Sequence, residues 1–420
     1  RAAKAAADAR SAASFGVDAG PVRPDFAAAM ERLRRLRAEL ARHDSVARLS
    51  GLGIDVFLGQ GRFVADDGVE VDGRQLRFSR AIIATGARAA APLIPGLAEA
   101  GFLTNESVFS LTELPSSLVV IGAGPIGCEL AQAFRRFGSE VTLIGDNPRV
   151  LPREDPDASV ALAAVFGREG ITTLLDARVT RVDLDANARL RSVVVEQGGR
   201  EVVVRGAAVL VAVGRTPNLE GLDLECAGIS WNPQGVIVND QLRTTNRRVW
   251  AVGDIASRFK FTHVADAMAR LALQNALFFG RKAASALVIP WATFTDPEVA
   301  HVGITADEAA SRKDVLTFTV ALAENDRAVL DGQHQGFARV HADRRGRILG
   351  ATMVASHAGE MIGEMSLAMT AGVTLATMAR TIHPYPTQSE AWKKLGDAWS
   401  RTRLTPRVRS AFDLFLRWRR

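Results

Sequence analysis

The run VVIGAGPIG constrains the fold of this chain more than any other feature. It joins an apolar strand pattern, LPSSLVVIGAG, to an amphipathic helix pattern, PIGCELAQAFRRFG, and a second strand pattern, SEVTLIGD, follows. This order predicts one parallel βαβ crossover. Its Gly122, Gly124 and Gly127 form a GxGxxG pattern, in which the first glycine permits a tight turn, the second lets a pyrophosphate approach and the third allows close helix packing. We therefore predict a dinucleotide-binding turn rather than a purely structural one.

The end of the second strand bears on the choice of nicotinamide nucleotide. An acidic residue often stands there and bonds the ribose hydroxyls, but this chain has Gly145 there, followed by Asp146. Either Asp146 still reaches the ribose, or it is a loop residue and Arg149 receives a 2′-phosphate. The sequence therefore leaves NADH and NADPH as equal alternatives. Cys128, next to the third glycine, is interpreted as a small packed residue of the helix.

Two other strand ends match a second nucleotide. The run RAIIATGARAAAPLIPG ends a buried strand on Thr85 and Gly86, and RVWAVGDIA ends another on Gly253 and Asp254. Glycine allows close backbone approach, and a carboxylate directly after it can accept hydrogen bonds from sugar-type hydroxyls. Each strand end taken singly is also typical of an ordinary turn, whereas the combination is much more specific.

Length and composition limit the class of protein. At roughly 100 to 200 residues per domain, 420 residues predict two to four domains, and 47% hydrophobic with 23% charged residues is typical of a globular chain. No apolar run reaches the ~18 residues that a membrane-spanning helix needs. Because two cysteines, Cys128 and Cys226, cannot form a disulfide framework, we expect a reducing, cytoplasmic compartment.

Several motifs in fixed order resemble those of the class I pyridine nucleotide-disulfide oxidoreductases, which include dihydrolipoamide dehydrogenase, glutathione reductase and mercuric reductase. The resemblance covers essentially the whole chain. The motifs are ATG at 84–86, LPSSLVVIGAGPIGCELA, VLVAVGRTPN at 209–218, VWAVGDIA, FTHVADA, FTDPEVAHVG and HPYPTQSE.

The resemblance implies an α/β fold with two Rossmann-like nucleotide-binding domains and a C-terminal α+β dimerisation domain. An FAD domain would be interrupted by an NAD(P) domain, and the protein would be a homodimer. The expected segments are 1–112 (FAD, first part), 113–235 (NAD(P)), 236–288 (FAD, second part), 289–404 (dimerisation) and 405–420 (a basic amphipathic tail).

The resemblance also implies roles for individual residues. Asp254, after Gly253, would hold the ribityl chain of FAD. Gly86 with the preceding Thr85 would line the flavin, as would the FTHVA segment that contains Thr262 and His263. Gly214 and the GAGPIG turn would contact the nicotinamide nucleotide.

The sequence departs from the family in its first part. Family members open with an FAD-binding GxGxxG strand and a helix that carries a redox pair spaced CxxxxC, and neither is present here. The helix pattern beginning at Arg1 resembles the stretch that directly follows those cysteines. We therefore expect that the sequence is a truncated record of a longer protein.

The HPYPTQSE motif departs as well. In the family, a histidine five residues before a glutamate accepts a proton from a substrate thiol. Counting back from Glu390 gives Tyr385, the single tyrosine of the chain, as in mercuric reductase, while His383 lies two residues earlier. A phenol is a poor base at neutral pH but a usable acid or hydrogen-bond donor. His383 either reaches the acceptor site or is a packed or interface residue.

The C-terminal tail, RLTPRVRSAFDLFLRWRR, lacks the cysteine pair with which mercuric reductases pass the metal inward. Mercury reduction by that route is therefore disfavoured, and we expect no metal site. The tail interleaves arginines with Phe412, Leu414, Phe415, Leu416 and Trp418. It either covers the protein's own dimer or makes a peripheral contact with an anionic membrane or a partner. No motif indicates nucleic-acid binding.

These observations predict an FAD-dependent NAD(P)H oxidoreductase that passes hydride to a disulfide or related small-molecule acceptor. Tyr385 and Glu390, with His383, would complete the acceptor site from the partner subunit. Two alternatives stay open: a direct NAD(P)H:quinone or dye reductase without a redox disulfide, and a non-catalytic flavoprotein partner.

Overall fold

The first part of the chain is helical and then changes to short strands. The computed structural model describes residues 1–185, 190–278 and 280–419. The elements of this part are α1 (Ala2–Ser11), α2 (Phe26–Leu40), α3 (Val46–Gly51), β1 (Gly61–Ala65), β2 (Gly68–Val71), β3 (Arg74–Arg77), β4 (Ala81–Ile83), β5 (Ala87–Ala89) and α4 (Leu97–Ala100). The α2 helix begins where the Asp25 carboxylate accepts a hydrogen bond from the Ala28 amide, an N-cap that satisfies a free donor.

A parallel sheet forms around the glycine-rich turn. The elements here are β6 (Ser117–Ile121), α5 (Pro125–Phe137), β7 (Glu140–Ile144), α6 (Pro156–Glu169), β8 (Thr172–Leu174), β9 (Ala177–Asp185), β10 (Leu190–Gln197), β11 (Arg200–Gly206) and β12 (Ala208–Val211). The parallel strand order is β12-β6-β7-β8, and β9 to β11 form a separate antiparallel sheet. The predicted βαβ crossover is confirmed as β6, α5 and β7.

The chain then returns to the first part of the structure. The elements are β13 (Arg215–Pro217), β14 (Trp231–Asn232), β15 (Gly235–Val236), β16 (Val249–Ala251) and α7 (Thr262–Leu277). The β16 strand pairs with β4 in parallel, with Ala251 opposite Ile83, and β13 pairs with β5 in antiparallel. Because parallel strands end at the same edge, the loops after β4 and β16 lie side by side.

The last part is an antiparallel sheet covered by helices. Its elements are β17 (Pro290–Thr293), β18 (Glu298–Gly303), α8 (Ala306–Ala310), β19 (Val315–Ala321), α9 (Asp326–Leu330), β20 (Phe337–Asp343), β21 (Ile348–Ala355), α10 (Ala358–Thr370), α11 (Leu375–Arg380), α12 (Glu390–Thr402) and α13 (Pro406–Trp418). The strand order is β17-β18-β21-β20-β19. Trp392 of α12 is fully buried against this sheet.

The C-terminal sheet and the nucleotide-binding sheet share a hydrophobic core. Phe337 and Val354 of the C-terminal sheet belong to the same buried cluster as Leu118 and Cys128 of the βαβ unit. A charged contact reinforces the junction, because the Arg136 guanidinium of α5 lies 3.0 Å from the Asp296 carboxylate and 2.6 Å from that of Glu169. The βαβ unit is therefore held against the C-terminal sheet by packing and by charge.

Within the part of the chain that the structure describes, every helix is too short or too polar to cross a membrane.

Candidate active site

The turn between β6 and α5 has the geometry of a phosphate-binding site. Gly122 has a φ of +113°, and a Cβ there would overlap the carbonyl oxygen of Ala212. A Cβ at Gly127 would overlap the carbonyl oxygen of Gly122, so strand and helix meet closely. At Gly124, nothing lies within 4 Å of the position that a Cβ would take. The backbone is therefore open at the N-terminus of α5, where the helix dipole favours an anion, and these residues fit the pyrophosphate of a dinucleotide.

The end of β7 shows why glycine stands where an acidic residue is common. A Cβ at Gly145 would lie 2.8 Å from the Ala123 Cβ, on the glycine-rich turn itself. The exposed Asp146 carboxylate accepts a hydrogen bond from the Asn147 side chain at 2.8 Å. The Arg149 guanidinium donates to the Pro152 carbonyl at 3.2 Å and lies 3.7 Å from the Asp307 carboxylate. Both candidate selectivity residues thus already have protein partners, and both alternatives stay predictions.

The loop after β4 is tied to the segment after β13. The Thr85 hydroxyl donates to the Asn218 carbonyl at 3.2 Å, and the Asn218 amide side chain donates to the Thr85 carbonyl at 2.9 Å. The Gly86 carbonyl accepts from the Asn218 backbone amide at 3.0 Å. Thr85 and Asn218 also line an open cleft of about 470 Å³, together with Arg88. Thr85 and Gly86 are thus site residues predicted from the sequence, whereas their partner Asn218 was not predicted.

The loop after β16 brings a carboxylate to the same edge. Gly253 has a φ of +73° and begins a short turn of 3-10 helix that carries Asp254. The Asp254 Oδ2 atom lies 3.2 Å from Arg215 Nε, and the Lys260 ammonium donates to the Asp254 carbonyl at 2.9 Å. Since Arg215 directly follows Gly214, this ion pair joins the two loops. A carboxylate has a second oxygen, so Asp254 can also accept from a sugar-type hydroxyl.

Two residues of the FTHVA segment stand at the start of α7. Thr262 is the first residue of the helix and is exposed. The His263 imidazole has its Nε2 atom 2.7 Å from the Pro290 carbonyl oxygen, and its ring stacks on that of Phe261 with centroids 5.4 Å apart. His263 therefore connects α7 to the start of the C-terminal sheet. Its predicted contact with a flavin stays a prediction.

These residues fit one part of an FAD molecule. Gly86, Gly253 and Asp254 follow the ends of adjacent parallel strands, where the backbone can approach a ligand and a carboxylate can bond its hydroxyls. The GxGxxG pattern occurs once in the sequence and belongs to the β6–α5 turn. The fit thus concerns the ribityl and flavin part of FAD.

A half-buried carboxylate on α5 was not predicted from the sequence. Glu129 lies one turn into α5, and its Oε1 atom accepts a hydrogen bond from the Phe294 backbone amide at 2.8 Å. Burial raises the pKa of Glu129, and the nearby Glu298 carboxylate adds to the rise. The available signal in the sequence was the position of Glu129. It is an acidic residue two places after the tightly packed Gly127, and its neighbours in α5 are apolar.

The HPYPTQSE motif forms the loop that leads into α12. The Tyr385 phenol donates to the Asp326 carboxylate at 2.9 Å, and this bond raises the pKa of the phenol. The His383 Nε2 atom lies 2.9 Å from Glu364 Oε1, and only 6% of the histidine side chain is exposed. Glu390 is the first residue of α12. Tyr385 and His383 thus have separate carboxylate partners, neither of which is Glu390.

The two cysteines have different environments. Cys128 is fully buried, its thiol lies 3.4 Å from the Ala123 carbonyl oxygen, and burial raises its pKa to about 12. Its burial confirms the interpretation of Cys128 as a packed residue. Because the reactive form of a cysteine is the thiolate, the raised pKa also makes this thiol unreactive. Cys226 is exposed, and both thiols are free. Among the described residues, no group of three or more His, Cys, Asp or Glu side chains could hold a metal ion.

Comparison with known proteins places this geometry in context. The sequence profile described as pyridine nucleotide-disulphide oxidoreductase matches residues 3–269, and that of its dimerisation domain matches residues 289–395. Mercuric reductase of Bacillus cereus is 34% identical over 372 residues, which are 88% of this chain and 59% of that protein. Dihydrolipoyl dehydrogenase of Chlorobaculum tepidum is 31% identical over 386 residues, which are 90% of this chain and 81% of that protein.

A solved structure agrees with these matches. The HOCl-induced flavoprotein disulfide reductase RclA from Escherichia coli superposes with a TM-score of 0.82 at 28% identity, covering 94% of this chain and 89% of that one. The family resemblance and the α/β fold class predicted from the ordered motifs are confirmed.

Proposed function

Because this chain belongs to the pyridine nucleotide-disulphide oxidoreductase family, which uses FAD and NAD(P)H, we propose that it acts in an oxidoreductase that takes hydride from NAD(P)H and reduces a disulfide or related acceptor. The observation that carries the proposal is the open backbone at Gly124, at the N-terminus of α5, between two glycines that admit no side chain. For a disulfide acceptor the balance is one NAD(P)H and one proton consumed, one NAD(P)⁺ and two thiols formed.

On the donor side, the chain's residues would bind and orient the nucleotides. The α5 N-terminus would hold the pyrophosphate of NAD(P)H, and Gly214 would allow its nicotinamide end to approach. Asp254, fixed by Arg215, would bond the ribityl hydroxyls of FAD, and Gly86 would leave room beside the flavin. Bound FAD would supply the relay that accepts hydride on one side and passes electrons to the acceptor on the other.

On the acceptor side, Tyr385 is the proposed proton donor or hydrogen-bond donor. Tyr385 is 71% exposed in the protomer, and its phenol, like any tyrosine phenol with a pKa of about 10 or higher, is protonated at neutral pH. His383 and Glu390 would help to form the same acceptor site. In a homodimer, which the match to the dimerisation profile supports, these residues would complete the site of the other protomer.

The sheets support the proposed division of the chain in part, because β13 (Arg215–Pro217), which lies inside the proposed NAD(P) segment, pairs with β5 of the first FAD segment. The strands β6 to β12 fall within the proposed NAD(P) domain, 113–235, and β17 to β21 fall within the proposed dimerisation domain, 289–404. Segments 1–112 and 236–288 would form the FAD domain, which the pairing of β4 with β16 supports.

The free thiols of Cys128 and Cys226 fit the proposed cytoplasmic location.

A second candidate is direct reduction of quinones or dyes. The observation that favours it is the separation of the two cysteines. Cys128 is buried with a pKa of about 12 and Cys226 is exposed, so these two thiols do not form a redox pair in the described residues. The chain spans 59% of the length of the Bacillus cereus mercuric reductase that it matches.

The test uses the protein of the complete reading frame, loaded with FAD and kept anaerobic. NADH or NADPH is added and the visible absorbance of the flavin is followed; we expect bleaching that reverses when a disulfide is added, with thiols formed in proportion to the nucleotide consumed. The matched control is Gly124→Ala, which should bleach more slowly at low nucleotide concentration.

The other outcomes separate the candidates. Bleaching that only a quinone or dye reverses, without thiol formation, would favour the direct reductase. A flavin that neither nucleotide bleaches would contradict both and support a non-catalytic flavoprotein.

A further inference from the structure

The α13 helix carries an apolar face that no other element covers in the described residues. It begins at Thr405, whose hydroxyl accepts a hydrogen bond from the Val408 amide, and has Pro406 at its first position, so the sequence itself favours a helix start here. Its large apolar side chains are all exposed, Trp418 to 81%. Arg420, the last residue of the predicted tail, lies outside the described residues.

The arrangement of these side chains makes two distinct faces. Val408, Phe412, Phe415 and Trp418 recur at the three- and four-residue spacing of one helix face. Ser410, Asp413 and Arg417 occupy the opposite face. The contacts made by these rings stay within the helix, as with Phe415 and Trp418, whose centroids are 6.4 Å apart. An amphipathic helix that does not bury its apolar face on its own protein needs another apolar surface.

Charge indicates what that surface is. Residues 401–419 contain six arginines and one aspartate, Asp413, and none of these seven side chains forms an ion pair within the described residues. A surface of negative charge would satisfy the guanidinium groups, whereas a second copy of the same helix would bring like charges together. The match to the dimerisation profile also ends at residue 395, before this helix begins.

We propose that α13 lies flat in the surface of a membrane that contains anionic phospholipids. Phe412, Phe415 and Trp418 would enter the boundary between head groups and acyl chains, where aromatic rings are favoured, and the arginines would pair with lipid phosphates. The helix has 13 residues and a length of about 20 Å, which is too short to span a bilayer core of about 30 Å. This contact is independent of the proposed redox function and would hold the enzyme at the membrane surface.

The experiment is co-sedimentation of the whole purified protein with vesicles of phosphatidylcholine, with and without phosphatidylglycerol. We expect binding to the anionic vesicles at least about tenfold tighter than to the neutral ones, weakening as salt is raised, because the arginines are attracted to an anionic surface and salt screens this attraction. The double variant Phe415→Ser/Trp418→Ser should lose binding, and Arg407→Gln/Arg409→Gln should weaken it about tenfold or more. Since all four side chains are exposed, these variants should keep the thermal stability of the parent.

Control variants remove exposed apolar side chains and exposed charges elsewhere. Leu58→Ser/Leu93→Ser removes two exposed apolar side chains of the body, and Arg344→Gln/Arg345→Gln removes two exposed charges. Both should bind vesicles as the parent does. The proposal is overturned if the parent does not sediment with anionic vesicles, or if tail and control variants bind alike. Tail variants that dissociate the dimer but still bind vesicles would overturn it too, in favour of a second copy as the occupant.

Discussion

At the scale of single residues, Tyr385 offers a direct measurement, because it is the only tyrosine of the chain. Its phenol donates to the Asp326 carboxylate, which raises the pKa of the phenol by holding its proton and by opposing the phenolate charge. We predict that Asp326→Asn lowers this pKa toward the ordinary value of about 10. Absorbance titration of the tyrosinate reports this one group.

The control for this titration is a carboxylate directly after the same short helix. Asp331 pairs with Arg327, whereas Tyr385 pairs with Asp326, so Asp331→Asn should leave the phenol titration unchanged. Circular dichroism over the same pH range checks that the protein stays folded. Equal titration curves for the parent and Asp326→Asn would mean that the hydrogen bond does not govern the phenol.

Residue positions in the site could be predicted where the chemistry is local. The three glycines of the GAGPIG turn and the Gly253–Asp254 pair follow from short patterns whose physical reason lies within a few residues. The partners of those residues could not be predicted in this way. Arg215 meets Asp254, and Asp326 meets Tyr385, only because distant strands and helices fold together, and no spacing rule encodes such contacts.

At the scale of elements, the β6–α5 turn separates two kinds of glycine. We predict that Gly127→Ala destabilises the protein by about 1–3 kcal/mol, because the new Cβ would overlap the Gly122 carbonyl. Gly124→Ala should change the free energy of unfolding by less than about 0.5 kcal/mol, since nothing stands near its Cβ. It should nevertheless weaken binding of NADH or NADPH about tenfold, by pushing the pyrophosphate from the backbone.

Thermal unfolding and nucleotide titration of both variants test this prediction. Normal nucleotide affinity in Gly124→Ala would show that the turn does not hold the pyrophosphate. Unchanged stability in Gly127→Ala would show instead that α5 can shift away from β6 without cost.

Element types were predicted more reliably than their ends. The run DVFLGQGRFVA (residues 55–65) is rich in strand-forming residues, but β1 begins only at Gly61. The reason is Gly59, which has a φ of +143° and lies so close to the Asp72 carboxylate that a side chain there would meet it. A left-handed residue interrupts an extended strand, and a strand pattern alone does not show where glycine uses that freedom.

At the scale of the whole molecule, a buried acid joins the nucleotide-binding part to the C-terminal sheet. Glu154 precedes α6 and accepts a hydrogen bond from the Trp291 indole of β17 at 2.7 Å. Burial raises its pKa to about 7, despite this bond. Two buried histidines of the sheet have lowered pKa values, also through burial: His301, and His341, whose pKa falls to about 4.

These groups act on stability in opposite directions over the same pH range. A folded pKa above the unfolded one means that Glu154 stabilises most below pH 4.5 and loses that contribution as pH rises to about 7. A folded pKa below the unfolded one means that His341 contributes above about pH 6.5 and loses its contribution as pH falls toward 4. The two contributions therefore partly cancel in the pH dependence of the free energy of unfolding. Each one can be measured only as the difference between the parent and a variant that lacks the group.

We predict that Glu154→Gln removes the contribution of this acid to the pH dependence of the free energy of unfolding. The contact is kept, because the amide oxygen can still accept a hydrogen bond from Trp291. Relative to the variant, the parent should lose stability between pH 4.5 and 7, by an amount on the order of 3 kcal/mol, which follows from a pKa shift from 4.5 to about 7. Denaturant unfolding of both proteins at several pH values measures this difference. A constant difference across the range would mean that Glu154 keeps its charge on folding, and that the junction between the two sheets tolerates a buried carboxylate.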